Sequence, residues 1–201
     1  MCYTCNNKFK GDNLIYLILG HSGSGKSTLR DELAKKGLNK IITYTTRPPR
    51  PKEVDGLDYN FINIKDFKKM EEKNLFIGST CYAGNYYSTL KKDLEKNNNG
   101  NSDCVIIVDK EGVLAIKKEF KNSLCIYLKC SKEILKKRMI KRAEDESVIE
   151  KRLSVLENLD SYSDYIIDSD REMDCVLSDV LKIIKSHKTG KWFFFSWHFI
   201  I

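Results

Sequence analysis

The chain has 201 residues, 41% of them apolar, and a formal net charge of +7. That length suits one domain with a sizeable core, and the apolar content is ordinary for a globular protein. The basic residues are mixed with acidic ones rather than blocked, which favours a phosphate-handling enzyme over a polynucleotide binder. No apolar stretch reaches the roughly 18 residues a membrane helix needs.

Residues 1–12 read as a polar lead-in, unlike a signal peptide, and Cys2 and Cys5 form a C-x-x-C with no second pair at zinc-ligand spacing. The seven cysteines are odd in number and dispersed, and Cys104 and Cys125 sit in apolar runs. This is the usage of a reducing compartment, so a cytoplasmic location is expected rather than a disulfide framework.

Leu14–Leu19 is a continuous apolar run, as for a buried parallel strand. It leads into Gly20-His21-Ser22-Gly23-Ser24-Gly25-Lys26-Ser27, which fits the phosphate-binding pattern G-x-x-x-x-G-K-[ST]. A helix follows over Lys26–Lys36, with Gly37 as its stop. Strand, loop and helix stand where the pattern requires them. Glycines let the backbone wrap a phosphate, and loop N–H groups at a helix N-terminus attract an anion. Lys26 is expected to reach the β- and γ-phosphates of a nucleoside triphosphate, and the Ser27 hydroxyl to hold Mg²⁺.

Ile41–Thr46 is β-prone, and Arg47-Pro48-Pro49-Arg50-Pro51 excludes regular helix or central strand. Two arginines three apart, stiffened by prolines, make a fork for a phosphate monoester, with Tyr59 nearby. Residues 52–95 carry short alternating segments, a helix near Lys65–Glu72 and an aromatic cluster ending in Gly84-Asn85-Tyr86-Tyr87, and read as an inserted α+β subdomain. Asn97–Asn101 reads as a loop.

Cys104–Val108 is a second buried strand ending in Asp109, followed by a helix over Gly112–Phe120 and a third strand over Leu124–Leu128. Ser131 is placed to cap a helix to Arg142, and Ser147 another through Leu156. Tyr165–Ile167 is a short strand, and Met173–Ser186 has helical periodicity. Alternation of strands and helices predicts an α/β fold: a parallel sheet with helices on both faces. The aromatic tail Lys191–Ile201 fits none of these elements, and contact with the protein's own surface or a partner is its expected role.

With these segments in order, the chain resembles guanylate kinase. That family joins G-P-S-G-x-G-K-S-T, T-T-R-x-P-R-x-G-E-x-x-G-x-D-Y-x-F and G-N-Y-Y-G-[ST], which stand here as Gly20–Thr28, Thr45–Phe61 and Gly84–Thr89. The resemblance covers about 14–186. It implies a P-loop three-layer core (about 13–42, 102–135 and 155–186), a nucleoside-monophosphate-binding subdomain (about 43–96), a helical lid (about 136–154) and a tail (187–201). It implies transfer from ATP, with Mg²⁺, to GMP or dGMP.

By position, it assigns Gly20, Ser22, Gly23, Ser24, Gly25, Lys26, Ser27, Thr28 and Asp168 to ATP. Thr43, Arg47, Arg50, Tyr59 and Tyr87 go to the acceptor phosphate, Thr89 and Asp109 to the acceptor base, and Glu53 to acceptor binding. Arg138, Arg142 and Arg152 are lid arginines that close over the transferring phosphoryl group. Several positions depart from the family. Its guanine-reading glutamate aligns with Gly78, Ser88 replaces the glycine of G-N-Y-Y-G-[ST], His21 replaces the P-loop proline, and D-x-Q-G reads Asp109-Lys110-Glu111-Gly112. The lid is one residue shorter. The missing glutamate leaves a different acceptor nucleotide as a second reading, and a catalytically dead binding module as a third.

Overall fold

The computed structural model describes residues 13–82, 84–98 and 102–189, so the N-terminal C-x-x-C, residues 99–101 and the aromatic tail lie outside the described residues. Five parallel strands form the core sheet: β1 (Ile15–Leu19), β2 (Asn39–Lys40), β7 (Cys104–Ile107), β8 (Ser123–Lys129) and β9 (Tyr165–Asp168), in the order β2-β7-β1-β8-β9. β1 is central, and every one of its residues is buried. Side chains alternate across a strand, which explains the continuous apolar run. Tyr16 and Ile18 join Leu29 and Leu33 of α1 (Lys26–Lys35) and Val176, Val180 and Ile184 of α7 (Met173–Thr189) on one face. Ile15, Leu17 and Leu19 join Val113 and Ile116 of α4 (Lys110–Glu119) and Leu94 of α3 (Lys91–Asn98) on the other.

The second sheet is mixed, in the order β4-β3-β6-β5, from β3 (Tyr44–Thr45), β4 (Asn60–Phe61), β5 (Phe76–Tyr82) and β6 (Asn85–Leu90). Its small core is aromatic: Phe67 of α2 (Ile64–Glu72) is wholly buried, 4.7 Å from the Phe76 ring and 5.4 Å from Tyr86. α5 (Lys132–Lys141) and α6 (Glu146–Ser154) pack as a pair on Leu135, Met139, Ile149 and Leu153.

Several boundaries differ from the sequence expectation. Of the β-prone stretch 41–46 only Tyr44–Thr45 is strand, paired with β4 and β6, while the core-sheet strand beside β7 is Asn39–Lys40, just before the stretch. Asn97 and Asn98 finish helix α3 rather than opening a loop, and the Asn97 amide donates to the Asp93 carbonyl at 2.8 Å. Among the described side chains of that helix only Leu94 is buried, so no periodicity announced it. α4 starts two residues early because Asp109 caps it, accepting from the Gly112 N–H at 2.8 Å. Ser131 stands at the N-cap of α5 but its hydroxyl caps nothing, and α6 begins after Asp145, which leaves Ser147 inside its first turn. At the end of α1 the expected stop is present: Gly37 N–H bonds the Ala34 carbonyl and Leu38 N–H the Leu33 carbonyl.

Candidate active site

The loop between β1 and α1 opens onto a cavity of about 480 Å³ shared by both sheets and the α5–α6 pair. At Gly20 a Cβ would fall 2.6 Å from Ser24 Oγ and 3.0 Å from the Leu128 carbonyl, so the strand can enter the loop only as glycine. The Lys26 ammonium folds back over the loop and donates to the carbonyls of Gly20 (2.6 Å) and His21 (2.8 Å). Withdrawal from water, and then the charges of Arg142, Arg50 and Arg152, lower its pKa to about 7, with Asp109 acting in the opposite sense. An anion entering the loop would restore the ammonium. Ser27 is exposed on the first turn of α1 and lines the same cavity. His21 Nε2–H donates to the Glu157 carbonyl at 3.0 Å, and desolvation lowers its pKa.

Opposite the loop stands the arginine fork. Arg47 Nη2 donates to both Glu53 oxygens at 2.9 Å, and Nη1 to the Pro48 carbonyl at 2.7 Å. The guanidinium lies 5.4 Å from the Tyr59 ring centroid and 5.7 Å from that of Phe61. Glu53 also accepts from the Arg50 backbone N–H at 2.7 Å. The fork is thus held by a carboxylate as well as by prolines. Both Glu53 oxygens face arginine, and Glu53 does not line the cavity, so it orders the fork rather than meeting the phosphate. Thr43, Tyr59 and Tyr87 line the cavity beside Arg47 and Arg50, the two tyrosine rings 6.3 Å apart.

At the far end Thr89 and Asp109 line the cavity with Thr80, Ser88, Glu111 and Gly112. Burial first, and then Glu111, push the Asp109 carboxyl up to about 6, against hydrogen bonds from Gly112 N–H and the Thr80 hydroxyl. Gly78 has φ +67 within an irregularity of the β5–β6 pairing. A Cβ there would lie 2.7 Å from Gly112 Cα, so in this conformation β5 packs against α4 too closely for any side chain. Ser88 supports the irregularity: its hydroxyl donates to the Ile77 carbonyl at 3.2 Å and meets Ser79 Oγ at 3.1 Å.

The cavity also takes in Arg142 and Arg152. Arg152 Nη1 reaches Ser22 Oγ of the loop at 3.1 Å. Arg138 is not in the cavity lining; its guanidinium is taken by the carbonyls of Ser169 (2.8 Å), Gly23 and Arg171 (3.4 Å each). Asp168 is exposed at the end of β9 and occupied by Asp170 N–H and Arg171. Ser24 is buried within the loop and Thr28 is exposed on α1, and neither lines the cavity.

Two structural residues escaped the sequence reading. Arg30, only 1% exposed, runs from α1 to the acceptor loop, donating to the Asp58 carbonyl at 2.9 Å and to Asp31 at 3.0 Å. Glu144, with a side chain 9% exposed, contacts Arg50 and Arg152. Both lie in charged surroundings where one more charge carries no signal.

A family model described as guanylate kinase matches residues 13–187. A guanylate kinase from Paraburkholderia xenovorans is 38% identical over 143 residues, which is 69% of this chain and 64% of that one. One from Nitrosospira multiformis is 33% identical over 88% of each chain, and one from Fusobacterium nucleatum is 33% identical over 86% of this chain and 96% of its own. The crystal structure of guanylate kinase from Anaplasma phagocytophilum has the same fold, with a TM-score of 0.71 at 20% identity over 89% and 88% of the two chains. On the family match and these relatives, the chain belongs to the guanylate kinase family.

Proposed function

We propose that this protein transfers the γ-phosphoryl group of ATP to GMP or dGMP. The observation that carries the reading is one cavity lined both by the loop with Lys26 and by Arg47 and Arg50. Phosphoryl transfer asks little covalent chemistry of a protein; it needs two anions aligned and their charge offset. Lys26, Arg142 and Arg152 would neutralise the triphosphate side. Arg47, Arg50, Tyr59 and Tyr87 would hold the acceptor phosphate, with Thr43 beside it. Thr89 and Asp109 would face the base. The α5–α6 pair, within residues 136–154, would act as the lid and residues 43–96 as the acceptor subdomain, and closure would exclude water.

The residues fit Mg²⁺. Ser27 and Asp109 offer hard oxygen donors to the same cavity. Among the described residues there is no cluster of three or more His, Cys, Asp or Glu, which suits an ion completed by phosphate oxygens and water. Bound there, the ion would supply charge neutralisation to the β- and γ-oxygens. The free thiols Cys81, Cys104, Cys125, Cys130 and Cys175 suit a reducing compartment such as the cytoplasm.

A second reading, a kinase with another acceptor base, is favoured by Gly78 alone, because the guanine-reading carboxylate of the resemblance is absent. ADP formation from ATP over a panel of nucleoside monophosphates tests both. GMP and dGMP are expected to be preferred, and Lys26→Ala to abolish turnover. A clear preference for a non-guanine base would overturn the guanylate reading, and near-normal turnover of Lys26→Ala would overturn the role of the loop.

A further inference from the structure

We propose that Glu144 is a positioning residue that joins the acceptor fork to the lid, an inference that rests on the kinase reading above. α5 ends in a tight stop in which Ala143 N–H bonds the Ile140 carbonyl at 2.8 Å and Glu144 N–H the Met139 carbonyl at 3.3 Å. The pivot residue, Ala143, has φ +53, a conformation that glycine adopts more readily. That turn fixes the backbone of Glu144 beside the cavity. Its carboxylate then lies between two arginines from different parts of the molecule, with Oε2 on Arg152 Nη1 and Oε1 3.5 Å from Arg50 Nη2.

The result is one polar path across the cleft. Glu53 holds the fork, Arg50 leads to Glu144, Glu144 to Arg152, and Arg152 to Ser22 of the loop at 3.1 Å. Glu53 spends both oxygens on hydrogen bonds to Arg47 and lies 3.8 Å from the Arg50 guanidinium, so the acid that lies between Arg50 and Arg152 is Glu144. Without a carboxylate between them, these cations and Arg142, all close enough to act on Lys26, would repel one another before any anion arrived.

The path is incomplete in a way that points to substrate. Glu144 Oε1 and Arg152 Nε are buried and make no hydrogen bond. Leaving such atoms unpaired opposes the unliganded arrangement. When an acceptor phosphate draws the fork inward, Arg50 needs to advance only about 0.6 Å to reach hydrogen-bond distance of Oε1. Arg152, held from behind by Oε2, keeps Nε for an oxygen of the transferring phosphoryl group. Acceptor binding thereby sets the lid arginine, and each nucleotide favours the other.

The test uses the full chain and three proteins: wild type, Glu144→Gln and Glu144→Asp. Steady-state rates with Mg·ATP and GMP are read alongside calorimetric binding of GMP with and without a non-hydrolysable ATP analogue. Glu144→Gln is expected to lose roughly tenfold to a hundredfold in kcat, the size of one charge-assisted hydrogen bond, with the KM for ATP within about threefold. The gain in GMP affinity on adding the analogue is expected to vanish in Glu144→Gln and to return in part in Glu144→Asp, which keeps the charge on a shorter stem. A role confined to folding would lower the active fraction and leave that coupling intact. Unchanged kcat and unchanged coupling in Glu144→Gln overturn the inference. So does tighter binding of both nucleotides with kcat retained, which would make Glu144 a counter-ion that substrates displace. If wild type turns over and Glu144→Gln matches it, only this inference falls. If wild type phosphorylates no nucleoside monophosphate, the kinase reading falls and takes this one with it.

Discussion

Replacing Gly78 by alanine adds one methyl group at the point where the acceptor sheet meets the core. Two separable penalties follow. The backbone has φ +67, and a residue with a Cβ costs about 1–2 kcal/mol in that left-handed region. The new Cβ would lie 2.7 Å from Gly112 Cα, with Gly112 N and Ala115 Cβ at 3.4 Å. The first of these neighbours is backbone at the start of a helix, so it cannot rotate aside. Relief requires β5 and α4 to separate, and overpacking of this kind costs about 1–3 kcal/mol. The sum, roughly 2–5 kcal/mol, is a large share of the 5–15 kcal/mol that holds a domain folded. Urea unfolding of Gly78→Ala measures it directly, as a fall in midpoint at constant slope. Because Asp109 caps α4 and faces the base end of the cavity, the KM for the acceptor should rise more than that for ATP. Gly78→Glu should be destabilised at least as much and gain no affinity for guanine. A loss below about 0.5 kcal/mol for Gly78→Ala, the scale of a neutral surface change, would refute the close approach of β5 and α4.

The lowered pKa of Lys26 predicts that kcat/KM for ATP falls as pH rises through about 7, since a neutral amine then meets the triphosphate, whereas Lys26→Arg should flatten that limb; a flat wild-type profile to pH 9 would contradict it. The same shift has a sign in stability. Between pH 7 and 10.5 the unfolded chain binds the proton that folded Lys26 has released, so the unliganded protein should gain stability with pH there, as thermal unfolding would report. Glu53→Gln leaves Arg47 without its bidentate partner and should raise the KM for GMP roughly tenfold or more, from the loss of charge-assisted hydrogen bonds, with the KM for ATP little changed. Arg30→Met should destabilise the fold by about 3 kcal/mol in denaturant titration, because the Asp58 carbonyl loses its buried partner; an unchanged midpoint would show that the contact contributes nothing.

The core strands were legible because both faces of the sheet are covered, which writes β1, β7 and residues 124–128 of β8 as apolar runs. The loop and the arginine fork were legible because phosphate chemistry demands particular residues at short fixed spacing. β2 was not, since two residues show no period, and β3 and β4 were legible only as parts of longer β-prone stretches. Arg138 was assigned by position, yet its guanidinium is spent on backbone carbonyls behind the loop. Glu53 was placed with the acceptor ligands, whereas two arginines occupy it. Glu144 and Arg30 matter through partners about 8 to 94 positions away in sequence, and only the fold brings such charges together.

Arg30 also bears on how this protein could be taken apart. Its guanidinium is shut from water between the helix that follows the phosphate loop and the segment that introduces Tyr59. The two sheets share no strand, and a recombination scheme would treat the acceptor subdomain as an exchangeable cassette. A cassette from a relative whose loop sets its backbone differently at the position of Asp58, or lacks a carboxylate there, would leave the buried Arg30 cation with Asp31 alone. Chimaeras of this chain should therefore be cut so that Arg30 and residues 54–59 travel together.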